Sequence, residues 1–377
     1  MAHSSPGFTT IHLQWKEETP AKHFRTGVSL HSHTLHSRES LAFIYRAAAA
    51  TRVIAAAMRR GEEQYRKVHG TALDFSRGWW TPPLGALDAW TIERAQIRGM
   101  ELDALVSLTD HDDIEAPVSL QILEECQDVP ISFEWTVPYG PTFFHLGVHN
   151  LPSLRARRMF EELNEYTRAP RPRRLLELMT ALSAIPGTLI VFNHPLWDES
   201  HVGPNTHTQA AQEFVRLLGP NLHALEMNGL RPWRENDAVL ALAKTAGKTV
   251  VSGGDRHGLE PNANLNLTNA SNFAEFAEEI RAGWSHILIL PHYRERHAAR
   301  IIRGVVDVLR THERHPNGWK LWSDRVFYQC DDGRVRPLTE LLGARIPGTV
   351  SVLLDVVNSL AWKGSTLRHE ALGPPLR

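Results

Sequence analysis

Between residues 26 and 290 the chain alternates short apolar runs with amphipathic stretches, and nearly every apolar run ends in an imidazole or a carboxylate. The run 26–30 leads into His31 and His33, and the run 103–108 into Thr109-Asp110-His111-Asp112. Glu134 lies within 129–137, and His145 within 143–148. The run 188–192 leads into Asn193-His194, and 222–227 carries Glu226 just before Asn228. The run 249–252 leads into Gly253-Gly254-Asp255-Arg256-His257. Residues two apart on a strand share a face, so His31 and His33 project together. Two imidazoles at a strand end are a beginning of a metal site, and a pair alone is a weak sign. Chance would not phase the remaining His, Asp and Glu to strand ends in this way.

Helical spacing of apolar residues predicts helices at 41–68, 87–99, 116–126, 153–167, 172–185, 208–218, 235–246 and 272–282. Strand, helix, strand in this order predicts a parallel β/α fold. About seven strands within 290 residues fit a barrel better than an open sheet. The expected organisation is a barrel over 1–290, with a helical insertion at about 41–86, and a C-terminal α+β extension over 291–377. That extension reads as a basic helix at 296–313, a hairpin joining 324–330 to 334–338 through Asp331-Asp332-Gly333, and a last helix at 348–361.

Composition removes several classes. With 41 basic and 42 acidic side chains among 377 residues, net charge is −1 and no long run of one sign exists. A polyanion groove is not implied, so nucleic acid is not an expected partner. The two cysteines, Cys126 and Cys330, are far apart and give neither a CxxC site nor a disulfide framework. With no signal-peptide pattern at the N-terminus, they point to a reducing, cytoplasmic setting. No run approaches the roughly 18 apolar residues of a membrane span.

His31-x-His33 with Ser37, Thr109-Asp110-His111-Asp112, single Glu134, His145 and His194, and Asp255-x-His257 together resemble the PHP (polymerase and histidinol phosphatase) superfamily. The resemblance covers roughly residues 26–290. It implies a distorted seven-stranded β/α barrel, TIM-barrel-like, holding two to three divalent metal ions and hydrolysing phosphate esters. Position by position it implies His31, His33, Glu134 and Asp255 on a first metal, and Glu134, His145 and His194 on a second. His111 and His257 would hold a third, completed by Glu39, with His36 the competitor; Arg38 stands where other members carry Asp. The gap from His33 to Asp110 is longer than is usual in the family, and the insertion is expected to cover the mouth of the site.

Imidazole and carboxylate donors suit zinc, manganese or iron, and the lack of cysteine ligands argues against a structural zinc site. The expected chemistry is attack on phosphorus of a small phosphate monoester by a hydroxide shared between two metals. Arg256, Arg231 and Arg38 are candidates for holding phosphate oxygens, and His257 or His36 for protonating the leaving oxygen. Asp110 is a catalytic candidate, equally readable as an acid that orients a ligand imidazole. Asp112 reads as a cap or turn residue, and Asn193, Asn228 and Glu226 as turn or site residues. His149, His201, His207, His223, His292 and His297 lack phased partners and read as ordinary histidines. Trp79, Trp80, Trp197 and Trp233 read as packing in loops flanking the motifs. Hydrolysis of a carboxylic ester or amide, a nucleic-acid processing module and a metal-holding scaffold without turnover are the alternatives.

Overall fold

The computed structural model describes residues 8–16, 20–41, 77–312 and 317–342, together with 59, 60, 62, 63, 65–67, 70, 74 and 315. The chain divides into two compact units, Met1–Ser37 with Leu84–His297, and Arg38–Pro83 with Ala298–Arg377. In chain order the described strands are β1 (Phe8–Leu13), β2 (Thr26–Ser29), β3 (Glu39–Ser40), β4 (Gly78–Trp80), β5 (Asp103–Val106), β6 (Phe133–Tyr139) and β7 (Thr142–His149). They continue with β8 (Leu189–Asn193), β9 (Ala224–Asn228), β10 (Thr249–Gly253), β11 (Asn264–Thr268), β12 (Trp284–Ile289), β13 (Val326–Gln329) and β14 (Val335–Pro337).

The seven-stranded β/α barrel is overturned. The first unit holds two five-stranded sheets, ordered β1-β12-β11-β2-β5 and β10-β9-β8-β7-β6. Among the described residues there is no sheet of seven parallel strands and no closed barrel. β6 and β7 pair antiparallel, and β7 pairs antiparallel with β8. The reason is chain length. Only Gly140 and Pro141 separate β6 from β7. A parallel neighbour needs a crossover of a dozen or more residues, so this chain can only double back. Gly140 turns it with φ +58°, a region that favours glycine. β11 runs antiparallel to both β2 and β12. Its Asn-Leu-Asn-Leu-Thr pattern hides it from an apolar-run reading, yet all five residues are buried.

Those asparagines have work to do where the two sheets meet. Asn266 Oδ1 accepts the Ser252 N–H at 2.7 Å, and its Nδ2 donates to the Ser252 carbonyl at 2.9 Å. One amide side chain thus replaces a ladder partner on β10. Asn264 Nδ2 donates to the Met227 carbonyl at 3.0 Å. At the opposite margin His111 and Glu134 form a single parallel bridge. There Glu134 N donates to the Asp110 carbonyl at 3.1 Å and Asp112 N to the Glu134 carbonyl at 2.9 Å.

Helices cover these sheets by burying one apolar stripe each. Ala86–Arg98 buries Ala89, Trp90 and Ile97; a Cβ on Gly27 of β2 would stand 2.7 Å from Ile97 Cγ2, so glycine lets this helix close on the strand. Pro204–Leu218 buries Phe214, whose ring lies 5.0 Å from those of Phe144 and Phe192. Asn272 caps Phe273–Arg281 by accepting the Glu275 N–H at 3.0 Å.

The second unit carries the sheet β14-β13-β4-β3. The hairpin read at 324–338 is present as antiparallel β13 and β14. Buried Arg325 donates to the Thr81 carbonyl at 3.3 Å and to the Val308 and Arg310 carbonyls near the end of the helix His297–Leu309. Burial lowers its pKa to about 10. The helix read at 348–361 lies outside the described residues, as does most of the one read at 41–68. No helix among the described residues is long and apolar enough to cross a membrane.

Asn266→Ala would leave the buried N–H and carbonyl of Ser252 without side-chain partners. At about 1–3 kcal/mol per orphaned group, urea unfolding should show a loss of about 2–6 kcal/mol. His223 yields a second expectation. Burial, with Arg281 and Lys248 nearby, lowers its pKa to about 3. Neutral when folded, it takes up a proton on unfolding between the ordinary histidine value and about 3, so stability falls as pH falls through that window. Substituting His223→Gln should flatten the acid limb of stability against pH by about 1.4 kcal/mol per pH unit between pH 6 and 4.

Candidate metal centre

The strand ends converge in the first unit on one buried carboxylate. Glu134, on β6, is fully buried and points its two oxygens at different histidines. Oε2 lies 3.1 Å from His31 Nε2, 3.5 Å from His33 Nε2 and 3.1 Å from His111 Nδ1. Oε1 lies 3.3 Å from His194 Nε2 and 3.6 Å from His145 Nδ1, and accepts from Asn193 Nδ2 at 2.9 Å. Asp255 Oδ1 lies 3.5 Å from His33 Nε2 and 3.7 Å from His31 Nε2. The His257 ring stacks on that of His33 at 4.3 Å, and its Nδ1 donates to the Asp255 carbonyl at 2.9 Å. Within this unit His31-His33-Glu134, His33-Asp255-His257 and His111-Glu134-His145 each place three donor atoms within 4.8 Å of one another.

Neighbouring groups aim the rings. Glu226 Oε1 accepts His31 Nδ1–H at 2.6 Å, which turns the bare Nε2 inward. Glu226 Oε2 accepts the His194 N–H at 2.8 Å and Asn228 Nδ2 at 3.0 Å. Asn228 Nδ2 also reaches Asp255 Oδ2 at 3.2 Å. Ser37 Oγ lies 3.1 Å from His33 Nδ1 and accepts the His111 N–H at 3.1 Å. His194 and Asp255 hold φ of +27° and +51°. Such backbone costs a non-glycine residue about 1–3 kcal/mol and persists only where surroundings over-determine it, typically at functional sites.

The donor set fits a cation. His31 and His33 bring their Nε2 atoms within 3.0 Å of each other, beside Glu134 Oε2. With His31 Nδ1–H given to Glu226, these atoms meet as lone pairs. Three carboxylates, Glu134, Glu226 and Asp255, crowd the same buried space. Burial opposes ionisation of Glu134, but His31, His111 and His145 hold its pKa well below the usual carboxylate range. Asp255 is held down likewise by His31, His33 and His257 against its burial. Burial would discharge His31, yet Glu134, Glu226 and Asp255 raise its pKa well above the ordinary value. Burial keeps His145 neutral, with a pKa well below normal despite Glu134. The metal-free cluster therefore draws in a proton at the place where lone pairs converge. Imidazole and carboxylate donors without cysteine suit zinc, manganese or iron.

His31, His33, His111, Glu134, His145, His194, Asp255 and His257 lie together in the first unit. Arg256 and Asp110 are placed differently. Arg256 donates Nε–H to the Gly258 carbonyl at 2.8 Å and one terminal N–H to the Leu259 carbonyl at 3.0 Å, and its other terminal nitrogen is ion-paired with Glu93 Oε1 at 3.2 Å. Its guanidinium is committed to that buried partner, which corrects its reading as a phosphate-holding catalytic group. Asp110 accepts the N–H and Oγ1–H of Thr34, the latter at 2.7 Å, and so anchors the loop after His33. These contacts are to Thr34 and not to an imidazole. Glu39 and Arg38 fall in the second unit. Asp112 is a turn residue at φ +46° whose Oδ1 accepts the Thr136 N–H at 2.9 Å. Arg231 lies 3.7 Å above the Trp197 ring.

The residues underweighted in the sequence are Glu226, Asn193 and Asn228, and Glu93 was missed. A carboxylate inside an otherwise apolar strand, as in Leu225-Glu226-Met227, is the signal that was there to find, since unpaired acids are almost never fully buried.

No family model matches the chain, and no curated protein matches it. Among solved structures, an amidohydrolase from Chromobacterium violaceum is similar over 47% of this chain and 84% of its own, with 15% identity and a TM-score of 0.32. PsfC from Pseudomonas syringae is similar over 54% of this chain and 83% of its own, at 16% identity and a TM-score of 0.36. A protein named as a candidate metal-dependent phosphoesterase from Bifidobacterium adolescentis is similar over 53% of this chain and 92% of its own, at 16% identity and a TM-score of 0.32. None reaches a TM-score at which whole folds are alike, and the reading of the site rests on its own geometry.

Glu226 needs the space that Gly253 leaves: a Cβ there would stand 1.6 Å from Glu226 Oε1 and 3.0 Å from His31 Cβ. Gly253→Ala should therefore push Glu226 off His31. Losing such an outer carboxylate costs about 10–100-fold in metal affinity. Chelator competition on Gly253→Ala and Glu226→Gln should show losses of that size, and affinities equal to wild type would show that Glu226 does not orient His31.

Proposed function

We propose that this chain is a metal-dependent hydrolase of the PHP type, cleaving a small phosphate monoester. The observation that supports it most is the divided carboxylate of Glu134, with one oxygen among His31, His33 and His111 and the other beside His145 and His194. A bridging carboxylate of this kind would place two ions side by side. His31, His33, Glu134 and Asp255 would hold one, and Glu134, His145 and His194 the other. When bound, such a pair would lower the pKa of a coordinated water toward about 7 and neutralise charge on the reacting oxygens.

The protein's own groups do the rest. Glu226 keeps His31 in the tautomer whose Nε2 faces inward. Asn228 steadies Asp255, and Asn193 steadies Glu134. His257 donates Nδ1–H to the Asp255 carbonyl, leaving Nε2 as the atom that, once it has taken up a proton, can hand it to a leaving oxygen. Strand-borne residues exclude water from the back of the site, since Glu134, Asp110 and Asn228 are fully buried.

One observation favours a second reading, hydrolysis of a carboxylic ester or amide. Arg256, the cation inside the last motif, is occupied by Glu93 and two carbonyls, so phosphate would have to be held by other groups. Inorganic phosphate release from a panel of small phosphate esters separates the two.

Metal analysis of the purified protein should return at least two divalent ions per chain. Glu134→Gln should lose them and lower hydrolysis by more than the about 10–100-fold that an outer partner costs. Retained metal and rate in Glu134→Gln would sink the proposal.

A further inference from the structure

We infer that Glu93 and Arg256 are a positioning pair that holds the Asp255–His257 turn at ligating distance from the strand bearing His31 and His33. The inference rests on the metal-centre reading above and concerns what keeps that centre in register.

Glu93 lies on the helix Ala86–Arg98. It is fully buried, and Arg256 is 5% exposed. Their contact is 3.2 Å. Glu93 Oε2 accepts Asn262 Nδ2, which also donates to Ser29 Oγ at 3.0 Å. Gln96, one turn further along the helix, exchanges two hydrogen bonds with the Asn262 backbone, at 2.8 and 2.9 Å. The helix is thereby tied to both the strand leading to His31 and the segment following His257.

Arg256 is where these ties meet the site. Its backbone pairs with the strand extension through a bridge to Ser32, and its carbonyl accepts the His33 N–H at 2.8 Å. Its N–H donates to the His31 carbonyl at 3.3 Å. Its guanidinium meanwhile grips the Gly258 and Leu259 carbonyls. One residue therefore spaces His31 and His33 from Asp255 and His257 by its backbone and closes the turn by its side chain. That turn needs holding, because Asp255 sits at φ +51°. Gly254 completes the fit, since a Cβ there would stand 1.9 Å from Asn262 Oδ1.

Stability alone does not call for charge here. Well-packed apolar replacements of a buried ion pair are often neutral or stabilising, whereas the planar fork of arginine fixes direction as well as distance. That difference makes the role separable.

The test compares Mn²⁺ titration calorimetry of the metal-stripped full-length protein with thermal unfolding of the same metal-free samples. Glu93→Gln should weaken the tightest Mn²⁺ step by about 10–100-fold, the range for outer partners of metal ligands. The double variant Glu93→Leu with Arg256→Met should recover metal-free unfolding close to wild type, yet keep Mn²⁺ affinity at least about 10-fold weaker. If either variant is folded and binds Mn²⁺ as tightly as wild type, the positioning role is overturned. If the wild-type protein itself binds no Mn²⁺, the proposed function falls and this inference with it.

Discussion

The buried carboxylate of Glu134 is the interaction on which the first unit depends. A lone ionised acid in a dry interior is expensive by many kcal/mol and would normally take up a proton. Here His31, His33 and His111 face one oxygen, and His145 and His194 the other. Those five rings come from four stretches of chain, so neutralising one charge draws both five-stranded sheets toward a common point. The same convergence sets Glu226 and Asp255 beside Glu134 and the histidines, a donor set that suits a divalent cation.

Around this point the fold uses polar side chains where a continuous ladder would otherwise run. Asn266 satisfies Ser252 on both its N–H and its carbonyl, and Glu134 joins the opposite margin through its own backbone. Buried polar networks of this kind are costly unless every member is satisfied, and they specify one arrangement when they are. The tight backbone at His194 and Asp255 belongs to the same economy, being held by Glu226 on one side and by Arg256 with Glu93 on the other.

Much of the site was legible from spacing. His31 and His33 two apart on a strand end, Glu134 and His145 inside apolar runs, and Asp255-x-His257 after a glycine pair all mark themselves by interrupting hydrophobic segments. The two-sheet arrangement that replaces the expected barrel was not legible, and the reason is specific. An apolar run reports that a strand is buried but carries no direction, so β6 and β7 read as two more parallel strands until the two-residue Gly140-Pro141 link is taken seriously. β11 escaped because Asn264 and Asn266 look like loop residues; their burial is explained only by partners on β9 and β10.

Sequence by itself determined the ligand types, their order along the chain and the strand faces that present them, since these follow from side-chain chemistry and the period of two. Only the tertiary structure decided which oxygen of Glu134 meets which histidine, that Glu226 stands behind His31, and that Arg256 turns toward Glu93 rather than into the cluster. Those are contacts between residues from 11 to 195 positions apart, such as His145 with Glu134 and His31 with Glu226. Nothing local prefers one such partner over another; packing of sheets and helices does.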